Sequence, residues 1–215
     1  MPRGRIRAWE NGSKPDPARA VEVAERRDWF ADLDSPTGLA LVELVAWIFS
    51  GGSISEDTYR PRFTYDSEPA LDRATAALDT IDIEYRHDRA DHEDHPPEIV
   101  ATEHGSILGR ALVTLGAPAG PKATQALSLP SWLHAEDCPA IVRETFVDVY
   151  LLNRATRPDN RTAIRLREER SATYLNSLAE LIESVADERV TVSDKNVCLS
   201  SEATEALYGR IGTLG

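Results

Sequence analysis

Residues Leu108 to Gly116 (Leu-Gly-Arg-Ala-Leu-Val-Thr-Leu-Gly) are nearly repeated at Leu207 to Gly215 (Leu-Tyr-Gly-Arg-Ile-Gly-Thr-Leu-Gly). Leucine, threonine, leucine and glycine recur at the same offsets, with Leu112 aligned on Ile211. A segment repeated about a hundred residues apart implies one architecture built twice. A chain of 215 residues can bury a full core, as one domain or as two similar halves packed together. Two copies would place paired elements at a central seam, and the chemistry at that seam decides whether the chain is an enzyme.

The pattern between the repeats supports this reading. Asp34-Ser35-Pro36-Thr37 is a turn carrying a helix cap. From Gly38 to Ser50 only Glu43 is strongly polar, so this helix is expected to be buried on several sides. Gly51-Gly52 stops it. Arg60 to Tyr65 alternates as a half-buried strand, and an amphipathic helix carries Leu71, Ala74, Thr75 and Leu78. Strands are expected at Ile81–Arg86 and Glu98–Thr102, then a helix from Ser106 to Leu115. The order then recurs: a helix over Ala140–Leu152, a strand over Arg161–Arg167, and a helix over Ala172–Ala186 with Leu175, Leu178, Ile182 and Val185 at helical spacing. Strands near Arg189–Val192 and Asn196–Ser200 precede a last helix, Glu202–Leu214. Each half reads αββαββα, an α+β fold. The expected divisions are a basic arm (1–36), a first repeat (37–118), a proline- and glycine-punctuated linker (119–136) and a second repeat (137–215).

The net charge is −12, yet three lysines (Lys14, Lys122, Lys195) stand beside 21 arginines. That balance suits a salt-adapted, halophilic chain and says little about fold. The charge is uneven, however. Residues 1–27 hold seven basic side chains to four acidic, and residues 154–170 hold six arginines to three acids. Basic patches on an acidic body are compatible with DNA binding. No run of eighteen apolar residues occurs, so no membrane partner is expected, and without an apolar leader the expected location is cytoplasmic. Cys138 and Cys198 lack metal-ligand spacing and are expected to be reduced, buried thiols.

Three segments together resemble the LAGLIDADG homing endonuclease family in its two-repeat, single-chain form. Leu44-Val45-Ala46-Trp47-Ile48-Phe49-Ser50-Gly51-Gly52-Ser53-Ile54 is similar to the first signature helix and its end. Gly120-Pro121-Lys122 followed by Leu129-Pro130-Ser131-Trp132-Leu133 resembles the inter-repeat segment. Val142 to Asn153 resembles the second signature helix. The resemblance, over about 37–215, implies a saddle of antiparallel strands on double-stranded DNA, with an acid from each signature helix holding divalent metal at the seam. Here the first acid position falls on Gly51 and the second on Asn153 or, with a one-residue shift, Arg154. Mg²⁺ needs hard oxygen ligands, so the resemblance implies a form degenerate at its catalytic acids, with no catalytic residue. The expectation is a monomer with an internal two-fold that binds double-stranded DNA in transcription regulation and needs no cofactor; Mg²⁺ enters only if nuclease activity survives.

The strand alternation sends Phe63 with Tyr65, and Ile164 with Leu166, inward. The resemblance then implies Arg60, Arg62, Thr64, Lys122, Arg161, Arg165 and Arg167 as the DNA-facing candidates. Two rival readings are an active endonuclease using displaced acids (Glu56, Asp57, Asp148, otherwise solvated surface charges) and a protein-interaction or ligand-binding module. Ile6-Arg7-Ala8-Trp9-Glu10-Asn11-Gly12-Ser13-Lys14-Pro15 resembles the end of a repressor-type helix-turn-helix. His87, His92 and His95 with their neighbouring acids match no ordered metal-ligand template and read as a solvated hairpin loop.

Overall fold

The computed structural model describes residues 16–89, 95–156 and 163–211. After an opening helix, α1 (Asp16–Arg26), the first half runs α2 (Pro36–Ser50), β1 (Gly52–Ile54), β2 (Pro61–Thr64), α3 (Glu68–Thr80), β3 (Tyr85–Asp88), β4 (Glu98–Ala101) and α4 (Gly105–Thr114). The second runs α5 (Ala140–Arg154), β5 (Ala155–Thr156), β6 (Arg165–Arg167), α6 (Ala172–Ala186), β7 (Val190–Ser193), β8 (Asn196–Leu199) and α7 (Ser201–Ile211). Both halves are αββαββα, as the sequence implied. Their antiparallel sheets share one strand order, β1-β2-β4-β3 and β5-β6-β8-β7.

The centre of the molecule is the pair α2 and α5. Ser35 caps α2, its Oγ accepting from Gly38 N at 3.0 Å, with Pro36 in the first turn. Beyond the cap, Leu41, Val42, Leu44, Val45, Ala46, Trp47 and Ile48 are all buried. So apolar a surface needs cover on several sides. It finds it on α5, where Val142, Phe146, Val147, Val149, Tyr150 and Leu151 are equally enclosed and Phe49 meets Phe146 at 5.9 Å. Helix α3 closes over α2, and α6 and α7 close over α5. The described part of the repeated segment falls in and just after α4 and in α7, where Leu108 and Leu207 are both fully buried, while residues 212–215 lie outside the described residues. Gly109 in α4 is required by close approach: a side-chain carbon there would collide with the carbonyl of Tyr59.

Three expectations need correction. The strand expected from Ile81 begins only at Tyr85. Ile81 and Ile83 are buried in the turn after α3, where Asp82 takes a left-handed backbone (φ 56°) that ends the helix and delays the strand. Cys138 and Cys198 are half-buried, and Cys198 lies directly across the ladder from Arg165. Asp148 is not a solvated surface charge; it is buried within α5. The Glu43 carboxyl is held above the usual carboxylate range by burial, against the pull of Arg73 and with added repulsion from Asp148. Arg73 meets Glu43 Oε1 at 3.0 Å. No helix among the described residues is long and apolar enough to cross a membrane.

Candidate nucleic-acid interface

The two central helices end at one place. Asn153 Nδ2 donates to Ser50 Oγ at 3.0 Å and to Val149 O at 3.2 Å. A side-chain carbon built on Gly51 would stand 3.6 Å from Asn153 Cγ and 3.3 Å from Thr64 O. The two positions picked out by the sequence therefore face each other across the seam, as glycine and carboxamide. Lys122 enters from the linker and donates to Ile48 O (2.6 Å) and Gly52 O (2.8 Å), with Phe49 O at 3.4 Å. It satisfies carbonyls that the end of α2 leaves open and places a cation at the negative pole of the helix dipole. Burial, then Arg170, then Arg154 lower its amine to about 8.

On the other side of the seam, Arg154 donates from Nε to Glu168 Oε1 (2.8 Å) and from Nη2 to Arg167 O (2.9 Å). Glu168, 4% exposed in its side chain, also accepts from the Tyr150 hydroxyl at 2.9 Å, which lies 3.2 Å from that of Tyr174. Burial pushes both phenols above their ordinary range, so they keep their protons. Arg170 Nη1 donates to Lys122 O at 2.9 Å, joining the linker to the second half.

A divalent cation needs anionic or carbonyl oxygens turned toward it. Lys122, Arg154 and Arg170 are cations bonded around this helix end, and Glu168 is taken up by Arg154 and Tyr150. The donor set does not fit Mg²⁺. Among the described residues, no cluster of His, Cys, Asp or Glu could hold a metal ion. His87 lies edge-on to the rings of Tyr65 (6.4 Å) and Tyr85 (6.1 Å); His95 is exposed, and His92 lies outside the described residues.

The two sheet faces differ in charge. Residues paired directly across an antiparallel ladder share a face. In the first sheet that rule gathers Ser53, Arg62, Thr64, Arg86, Asp88, Glu98 and the covered Val100. Arg62 is held by Glu98 at 2.8 Å and Asp88 at 3.2 Å, while Arg86 reaches Asp88 and Arg89 reaches Glu98, each at 3.5 Å. The first sheet thus neutralises most of its own arginine charge. In the second sheet the same face carries Arg165, Arg167, Thr191, Ser193, Asn196 and Cys198. Arg165 is exposed; the Arg167 side chain is 75% exposed and meets the rim acid Glu169 at 3.6 Å. Ile164 and Leu166 point into the core, as the alternation required.

The sequence-derived set is therefore spread over three settings. Arg60, Arg165 and Arg167 are exposed. Arg62 and Thr64 share a face on which Arg62 is already paired. Lys122 has a structural task that the sequence did not reveal. Arg161 and the 6–15 segment lie outside the described residues. Glu168 and Arg170 were missed as partners of Arg154 and Lys122, although the run of arginines and glutamates from 165 to 170 signalled them.

A pair of buried parallel-running helices, each leading into a four-stranded antiparallel sheet, defines a LAGLIDADG-like fold. Neither a protein-family model nor a curated protein matches the sequence, but solved structures do. Full-length DUF199/WhiA from Thermatoga maritima is 12% identical, with a TM-score of 0.51 over 86% of this chain and 60% of its own. This chain therefore spans less than two thirds of that protein. The N-terminal LAGLIDADG domain of DUF199/WhiA gives 0.52 at 12% identity over 90% and 92%. The homing endonuclease I-DmoI gives 0.55 at 10% identity over 84% and 100%, and has also been solved in complex with DNA and Mn.

Proposed function

We propose that this protein binds double-stranded DNA without cutting it and acts as a regulator. The observation that carries the reading is the seam: Gly51 and Asn153 stand where paired carboxylates would be needed, ringed by Lys122, Arg154 and Arg170. Hydrolysis through metal requires acids from both helices. DNA binding is supported by the LAGLIDADG-like fold and by the open arginines of the second sheet, whose guanidinium forks suit phosphate and guanine.

The organisation we infer is a monomer: a basic arm over 1–36, repeats at 37–118 and 137–215 related by a pseudo-two-fold, and a linker between them. Arg165, Arg167 and Arg60 make the main contacts, joined by Arg161 and, less freely, by Arg62 and Thr64; Lys122 supports the surface from the helix end. A salt-adapted setting is supported by the arginine-rich, acidic composition. The rival nuclease reading draws no support from Glu56 and Asp57, which are exposed, or from Asp148, which faces Glu43.

The test is a selection of bound fragments from the source genome, with and without Mg²⁺, followed by incubation of the bound sites with Mg²⁺ or Mn²⁺. Retention of discrete fragments, metal-independent and uncut, is expected. Cleavage at discrete sites overturns the loss of nuclease activity, and failure to retain any fragment overturns DNA binding.

A further inference from the structure

Beside the seam lies an open cleft of about 580 Å³ walled by Ala123, Arg154, Arg167, Glu168, Glu169 and Arg170. We propose that this cleft is a binding site for a phosphoryl group, gripped directly by Arg154, Arg167 and Arg170 without a bridging metal ion.

The arginines are held in place while keeping donors to spare. A guanidinium carries five N–H donors in a fixed fork. Arg154 spends its Nε on Glu168 and one Nη2 donor on Arg167 O, and Arg170 spends one Nη1 donor on Lys122 O. These anchors orient the forks before any ligand arrives, which lowers the ordering cost of binding. Bidentate forks match phosphate oxygens in a way that single-point cations do not.

Charge points the same way. The Glu168 carboxylate is buried beneath the cleft and already accepts from Tyr150 and Arg154. Glu169 stands at the solvent rim, shared between Lys195 at 3.2 Å and Arg167 at 3.6 Å. Three arginines of the cleft wall thus outnumber its two carboxylates, of which Glu168 is buried and engaged and Glu169 stands at the exposed rim. The Lys122 amine behind the cleft is held down first by its own burial and only then by Arg170 and Arg154. An anion seated between Arg154 and Arg170 would relieve the repulsion from these two arginines.

A phosphoryl group reaches such a cleft either as a backbone phosphate of DNA or as a free phosphorylated molecule. The probe is inorganic pyrophosphate, with chelator present, titrated into the full chain while unfolding temperature and calorimetric heat are followed. A matched sodium chloride titration is the ionic-strength control. Saturable binding beyond that control is expected. Arg167→Gln, at an exposed position, should weaken it at least about tenfold, the effect of losing one charge-assisted hydrogen bond; Arg170→Gln should do the same, and Arg86→Gln on the other sheet should change nothing. Adding a mixed-sequence duplex separates the sources. Competition with pyrophosphate assigns the cleft to the DNA backbone, and simultaneous binding assigns it to a free ligand.

Pyrophosphate binding no stronger than the salt control, or unaltered in Arg167→Gln, overturns the proposal. Only the duplex arm rests on the function proposed above. Duplex binding without a pyrophosphate response sinks the cleft alone, and the reverse sinks DNA binding alone.

Discussion

Asn153 reaches across the seam to Ser50, Nδ2 to Oγ at 3.0 Å, so the two central helices are tied at their C-terminal ends by an amide and a hydroxyl. Gly51 beside them has an ordinary backbone (φ −136°) that any residue can adopt. Replacing Gly51→Asp and Asn153→Asp together should therefore create a paired carboxylate site. In Mn²⁺ the double variant should gain a saturable rise in unfolding temperature of about 2–4 °C. Wild type and both single variants should show neither this shift nor plasmid cleavage. A Mn²⁺-dependent shift in the wild type would contradict the account of the seam.

Arg165→Ala with Arg167→Ala should leave the fold intact, because both side chains stand in solvent. DNA affinity should fall, and the slope of log affinity against log salt should become shallower by up to about one unit per lost phosphate contact. If a guanine contact is lost instead, discrimination at one base pair should drop by roughly 1–3 kcal/mol. Fluorescence anisotropy over a salt series distinguishes the two. Unchanged affinity and slope would remove the second sheet from the DNA surface.

Glu98→Gln should act in the opposite direction. Glu98 binds Arg62 and Arg89 on the first sheet, and its neutralisation would release positive charge toward the same face. DNA affinity at low salt should rise severalfold, while unfolding free energy falls by no more than about 1 kcal/mol, as for partly exposed pairs. A decrease in affinity would show that the first sheet does not face the duplex.

Lys122 makes stability depend on pH. Its amine releases a proton near 8 in the folded protein but near 10.5 when unfolded. Between those values the unfolded chain binds more protons, so stability rises with pH. Urea unfolding from pH 7 to 10 should show wild type gaining up to about 3 kcal/mol relative to Lys122→Met. Tyr150 and Tyr174 are present in both proteins, so their titration cancels. Parallel pH profiles would mean that the amine is well solvated.

The helices were legible because their apolar runs are long: from Leu41 to Phe49 nearly every residue must be covered, whatever lies around it. Alternation likewise placed Ile164 and Leu166 inside and Arg165 and Arg167 outside. The start of β3 was not legible, since Ile81 and Ile83 alternate as a strand would while Asp82 turns the chain. The meeting of Gly51 with Asn153 followed from the signature helices, but their surroundings did not. Arg62 finds Glu98 36 residues away, and Lys122 finds Ile48 74 residues away; no local pattern signals such partners. Asp148 was misplaced because a carboxylate in a helix ordinarily faces water, and its proximity to Glu43 depends on the helix crossing.

The segment joining the halves is also a buckle. Lys122 reaches back with its amine into the end of α2 and offers its carbonyl forward to Arg170. Trp132 fastens the same strap, its Nε1 on Leu115 O at 2.9 Å and its ring edge-on to Phe146 at 6.5 Å. A cut between Lys122 and Trp132 would therefore do more than lengthen a loop. It would free both ends of the fastening, and the two halves, mixed as separate pieces, would have to close the seam at the entropic cost of a bimolecular encounter.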